Sequence, residues 1–142
     1  MGPMSNSYYD DLEVRSAEAR AQAVSKQLSA TVATALKAPG WAKQLAGADP
    51  ATITSREALA KLPLLRKSDL VALQKATPPF GGFSTVAPGQ AKRILMSPGP
   101  IFEFQALGDD VYGAGRAVFA AGIRAGDIAI NCFSYHLTPG AY

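Results

Sequence analysis

At 142 residues, 48% apolar and 18% charged, the chain is long enough for one domain with a real core and too apolar to be disordered. Its net charge of +3 comes from Lys and Arg scattered among acids (Arg15, Arg20, Lys26, Lys37, Lys43), so no basic stripe marks a nucleic-acid interface. No apolar run approaches the roughly 18 residues of a membrane helix. The polar opening "MGPMSNSYYDDLE" has no signal-peptide core, and the single Cys132 forms no disulfide within the chain, which fits a reducing, cytoplasmic setting.

The first half reads as helices. From Ser16 to Pro39, Ser16 is the expected N-cap, Glu18 lies in the first turn and Pro39-Gly40 stops the helix. Val24, Leu28, Val32 and Leu36 recur every fourth residue and make one apolar face, for the core or for a partner. A short helix is expected around Trp41–Leu45, ended by Gly47, and Asp49-Pro50 looks like a new cap. Thr54 and Glu57 have capping-box spacing. "RKSDLVALQKATPPFGG" predicts one more helix, broken by Pro78-Pro79. Phe80–Gln90, with Gly81, Gly82, Pro88 and Gly89, reads as a loop. The organisational boundary falls there, with a helical subdomain over 8–80 and an α/β subdomain over 81–142.

The second half changes character. Lys92–Met96 predicts a strand. Asp109 is the expected cap of a helix that Gly122 ends, with Val111, Gly115, Val118 and Phe119 on one face. "GDIAINCFSY" predicts a second strand. Strand, loop, helix and strand make a βαβ unit, hence a right-handed crossover in a parallel sheet. Two strands leave both edges open, which implies the front piece of a longer protein or a sheet completed by other copies.

The loop "SPGP" after the first strand sits where open α/β sheets bind ligands. Phosphate loops present backbone N–H groups, hydroxyls and usually a Lys. Ser97 and Gly99 suit that task. Pro98 and Pro100 have no N–H, Ile101 and Phe102 add bulk, and Glu103 adds negative charge. Ser-Pro-Gly-Pro also serves as a plain stiff turn.

The stretches "YYDDLEVRS", "ITSREALAKLPLLRKSDL", "RILMSPGP" and "AAGIRAGDIAINCFSYHLTPG" together resemble the N-terminal part of the phenylacetate–CoA ligase branch of the AMP-forming acyl-CoA ligases, in order and spacing from Tyr8 to Gly140. The resemblance implies an adenylate-forming α/β fold that begins with a helical bundle. It also implies ATP, Mg²⁺ and CoA as ligands of the whole enzyme, a small aromatic carboxylic acid as substrate, and a homodimer. The family's loop, commonly Ser-Ser-Gly-Thr-Thr-Gly-Lys, holds the phosphates of ATP. Against it only Ser97 and Gly99 match, and Glu103 stands in place of the Lys. One unit charge beside another at about 4 Å is worth roughly 4 kcal/mol at an effective dielectric near 20. A sign reversal there therefore implies weakened ATP binding. By the same resemblance Phe133, Tyr135 and His136 line the acyl pocket, although Phe133 and Tyr135 as core are an equal reading. His136 is the only histidine and has no acid near it in sequence to make it a base. Cys132 is expected to be small and buried. This chain is expected to hold no catalytic residue and no metal ligand of its own. The alternatives are a non-catalytic ligase-like binding or assembly module and an unrelated helical interaction domain.

Overall fold

The computed structural model describes residues 7–135. Helix α1 (Ala17–Ala35) begins where the Ser16 hydroxyl accepts the Ala19 N–H at 3.1 Å. Glu18 folds back on the same end. Its own backbone N–H, and then the Ser16 hydroxyl, hold its carboxyl below the usual range. Only the C-terminal half of the apolar stripe is covered. Val32 is buried, while Val24 stays half exposed. The covered half lies against a single 3-10 turn, Pro50–Thr52, where the Ser29 hydroxyl donates to the Pro50 carbonyl at 2.8 Å.

Helix α2 (Pro39–Gln44) starts on Pro39, whose missing N–H costs nothing in a first turn. Helix α3 (Arg56–Leu59) is a single turn. Its cap is Ser55, one residue later than the expected Thr54, and the Ser55 hydroxyl accepts the Ala58 N–H at 3.2 Å. Helix α4 (Lys67–Ala76) stops at Thr77, directly before Pro78-Pro79, as the prolines require.

The sheet differs from expectation. Strands β1 (Arg93–Ser97) and β2 (Ile101–Gln105) form an antiparallel hairpin, in register from Arg93↔Gln105 to Ser97↔Ile101. The expected parallel βαβ unit is therefore corrected to a mixed helix and two-strand antiparallel arrangement. The physical reason lies in Pro98-Gly99-Pro100. A three-residue turn reverses the chain at once, so the segment immediately following becomes the partner of β1. Ile101 and Phe102, read as bulk in the loop, open the segment Ile101–Gln105 that takes that place. The segment expected to pair, Gly126–Tyr135, is in no strand. Ile128 is 96% exposed and Ile130 87%, and Cys132 is exposed rather than buried.

The buried apolar residues fall in two groups along the chain. Val32, Ala38, Leu45 and Ile53 come from the helical half, and Phe80, Leu95 and Ile101 from the hairpin and the loop before it. The tie between hairpin and helices is a side chain. Gln74 of α4 is buried, donates its amide N–H to the Phe102 carbonyl and accepts the Phe102 N–H, both at 2.8 Å. It acts as a one-residue strand against the outer edge of β2, satisfying backbone groups that β1 does not reach.

Helix α5 (Gly115–Ala120) is shorter than expected. Its N-cap is Ala114 rather than Asp109, and the two Asp110 carboxylate oxygens accept the Ala114 and Gly115 N–H groups at 2.7 and 3.0 Å. Gly122, at φ +96°, ends it as expected. Arg116 ties α5 to the start of the described chain through Asp10 and, at 3.7 Å, Glu13.

The Arg116 hydrogen bond holds the Asp10 carboxyl below its ordinary value of 3.8. A lowered folded-state value stabilises the fold above the unfolded value and loses that effect as pH falls through the folded one. The melting-temperature difference between the parent chain and Asp10→Asn is thus expected to be constant above about pH 5 and to shrink below pH 3.8. Thermal melts from pH 2.5 to 7 check this; a difference that grows with acid would contradict it. The pair is exposed and screened, so the effect is small.

Candidate functional site

The expected phosphate loop is the tip of the β-hairpin, and its groups are already committed. Ser97 is buried and its hydroxyl donates to the Ile101 carbonyl across the hairpin end, at 3.4 Å. Pro98 and Pro100 offer no N–H, which leaves Gly99 as the single amide between the paired Ser97 and Ile101. Nothing presses on Gly99. A Cβ there would meet only the Ile101 side chain, at 3.6 Å, so the turn shows none of the tight backbone approach of an anion cradle. Glu103 sits on β2 opposite Leu95, exposed, with its Oε1 3.6 Å from Lys67 Nζ.

Of the expected acyl-pocket residues, Phe133 and Tyr135 lie at the surface. Phe133 is 66% exposed and Tyr135 is exposed beside it. His136 lies outside the described residues. Among the described residues no cluster of three His, Cys, Asp or Glu side chains has the geometry to hold a metal ion.

The structure instead builds a concave aromatic site behind the hairpin. Trp41 comes from α2, Phe80 and Phe83 from the loop that follows α4, and Phe102 and Phe104 from β2. Together they line a cleft of about 260 Å³. Four of the six phenylalanines and the single tryptophan of the chain are spent here, so the cleft is where the sequence concentrates its ring surface. Trp41 and Phe83 meet edge to face at 5.1 Å and 83°, and Phe80 and Phe104 at 5.6 Å and 56°. Each such pair contributes about 0.5–1.5 kcal/mol beyond its buried area.

Local structure explains the placement. Gly81 and Gly82 both have positive φ, which lets the chain after Pro79 wind so that Phe80 is buried and Phe83 half-buried. The Gly40 N–H donates to the Gly82 carbonyl at 2.8 Å, which pins α2 to that loop and sets Trp41 beside Phe83. The polar groups of the cleft are mostly in use. Gln74 has its amide on Phe102, and the Ser84 hydroxyl donates to the Val86 carbonyl at 2.7 Å and accepts the Val86 N–H. Glu103 is the charged residue of the lining. Ser84 is the one hydroxyl side chain among the described lining residues, and Val86 engages it on both sides.

None of these residues stood out in the sequence as a site. Phe80 and Phe83 lie in a Gly- and Pro-rich stretch that reads as a connector, and Gln74 has no local mark of burial. Ring density between positions 80 and 104 was the available signal. No family model matches the chain, and no curated protein or solved structure matches it.

Proposed function

We propose that the chain is the N-terminal part of an ATP-dependent, AMP-forming aryl-CoA ligase of the phenylacetate–CoA ligase type, with a phosphate turn that has lost its grip. The parent reaction joins a small aromatic carboxylate to AMP with release of pyrophosphate, then passes the acyl group to the CoA thiol with release of AMP. ATP, Mg²⁺ and CoA belong to the parent, which in this reading is a cytoplasmic homodimer of adenylate-forming fold. The ordered resemblance from Tyr8 to Gly140 is the observation that carries it. These 142 residues are expected to turn over no substrate by themselves.

A second reading, a non-catalytic ligase-like binding or assembly module, is favoured by the closed hairpin tip, where Ser97 is buried and Glu103 faces Lys67. Two measurements separate the two. Phenylacetyl-CoA formation by the protein isolated from its own cells supports the ligase, and its absence with a panel of aromatic acids supports the module. For the chain itself, calorimetry is expected to show no ATP binding up to millimolar nucleotide. In the ligase reading Glu103→Lys restores measurable binding, because it removes a repulsion worth roughly 1–4 kcal/mol and adds an attraction. In the module reading it changes nothing.

A further inference from the structure

We propose that the outer edge of β1 is a self-association surface, on which β1 of a second copy pairs antiparallel across a two-fold axis at Leu95 to make one four-stranded sheet. The proposal concerns these 142 residues and rests on neither functional reading.

The two edges of the hairpin differ. Gln74 takes the N–H and the carbonyl of Phe102, which therefore point away from β1. Phe102 lies opposite Met96, so these two exchange no hydrogen bond between the strands, and by alternation neither do Ile94 and Phe104. The N–H and carbonyl groups of Ile94 and Met96 thus point outward from β1, and among the described residues no hydrogen bond reaches them. Their side chains are open as well, Ile94 41% and Met96 44% exposed. Helix α4, which clamps the hairpin through Gln74, lies against β2. Exposed edges are ordinarily guarded by charge or proline. Here Lys92 and Arg93 stand at one end and Pro98 beyond the other, and residues 94–96 between them carry neither.

The edge fits itself in one register. With Leu95 facing Leu95, Ile94 of each copy meets Met96 of the other, and every outward N–H and carbonyl of the two residues finds a partner. The next registers, two residues away, are poorer. One sets Pro98, which has no N–H, opposite Ile94. The other calls on Lys92, whose N–H is already on the Gln105 carbonyl at 2.8 Å. In the central register the apolar Ile94 and Met96 side chains are cross-strand neighbours. The two Arg93 stand at opposite ends, four residues or about 14 Å apart along the strands, beyond the roughly 8–10 Å over which exposed charges act in physiological salt. The contact uses the same patch on both copies, so it closes at two. Gln74 covers the far edge of β2 in each copy, which stops the sheet at four strands.

Analytical ultracentrifugation of the full chain is expected to show a monomer–dimer equilibrium that moves towards dimer from micromolar to millimolar chain, with no larger species. Amide hydrogen exchange over the same range is expected to show the Ile94 and Met96 N–H groups gaining protection as the dimer forms. The Phe102 N–H, held by Gln74 within one copy, is expected to be protected throughout. Met96→Pro removes one outward donor per copy and leaves the bonds to β2 in place. It is expected to weaken the dimer by about tenfold or more, because the two-fold axis counts each lost bond twice. Should that variant fold poorly, Ile94→Lys keeps the strand backbone and sets a charge beside Met96 of the other copy, and the same loss is expected with native circular dichroism. A chain that stays monomeric at millimolar concentration overturns the proposal. So does a dimer whose Ile94 and Met96 amides exchange as in the monomer, or one that both variants leave intact. A dimer that instead protects residues 128–133 also overturns it and assigns the contact to that exposed segment. None of these outcomes moves the ATP measurements on the ligase reading.

Discussion

Gly40→Ala is expected to destabilise the fold by about 3 kcal/mol or more, a large share of the 5–15 kcal/mol or so that a domain of this size has. A Cβ on residue 40 would lie 2.8 Å from the Gly81 carbonyl oxygen, 2.8 Å from the Gly82 carbonyl carbon and 2.9 Å from the Gly82 oxygen. All three are backbone atoms, so no side chain can swing aside. The contact cannot open by moving α2, because the Gly40 N–H is bonded to the Gly82 carbonyl at 2.8 Å in the same place. Nor does the loop yield easily, since Gly81 and Gly82 are already at φ +67° and +77°. The same seam holds Trp41 against Phe83, so the variant is expected to lose the cleft before it loses the fold. Its Trp41 emission should move to the red under conditions where circular dichroism is still native. Gly89→Ala is the control. Nothing lies within 4 Å of a Cβ there and no positive φ is involved, so its urea midpoint is expected to stay within about 0.5 kcal/mol of the parent. A Gly40→Ala chain as stable as the Gly89→Ala chain would mean that α2 and the 81–83 loop are not in contact.

That seam also shows which features were legible in the sequence. Several local signals were read correctly, while the caps expected at Thr54 and Asp109 were displaced and Pro39-Gly40, expected to stop α1, opens α2 instead. Ser16 caps α1, Pro78-Pro79 end α4, Gly122 ends α5, and the strand expected over Lys92–Met96 appears one residue later, over Arg93–Ser97. The larger failure was non-local. Strand direction depends on which segment arrives first at β1, and the three-residue turn delivers Ile101–Gln105 before Gly126–Tyr135 has a chance to pair. The period-two pattern in "IAINCFSY" predicts strand capacity, yet a strand exists only through a partner. The surroundings of the candidate site were likewise beyond local signals. Ser97, Gly99 and Glu103 are close in sequence; Ser97 is buried at the hairpin end with its hydroxyl on the Ile101 carbonyl, and Glu103 is exposed beside Lys67. The rings that do converge come from stretches more than sixty residues apart, Trp41 at one end and Phe104 at the other, and no spacing rule links them.

Gln74 carries the second large expected effect, and it tests whether the hairpin is held by hydrogen bonds or by apolar contact. Gln74→Leu keeps the side-chain bulk and nearly the same helix propensity, so α4 itself should be unharmed. What it removes is the pair of 2.8 Å bonds to the N–H and carbonyl of Phe102. Each backbone group left facing an apolar side chain costs about 1–3 kcal/mol, and the half-exposed Phe102 lets water recover part of it. The expected loss is therefore about 2–3 kcal/mol, read as a lower urea midpoint with an unchanged slope. Gln74→Glu keeps the acceptor for the Phe102 N–H but sets a carboxylate against the Phe102 carbonyl, so it should be at least as damaging at neutral pH. Amide exchange localises the effect. The Phe102 N–H is expected to be protected in the parent chain and to exchange rapidly in Gln74→Leu, while the strand-paired amides change less. Freeing the outer edge of β2 also exposes unpaired donors and acceptors, so the variant should self-associate more at high concentration. If the Leu variant matched the parent in both midpoint and Phe102 exchange, the hairpin would be held by its buried Leu95 and Ile101 alone, and the side-chain clamp would contribute nothing.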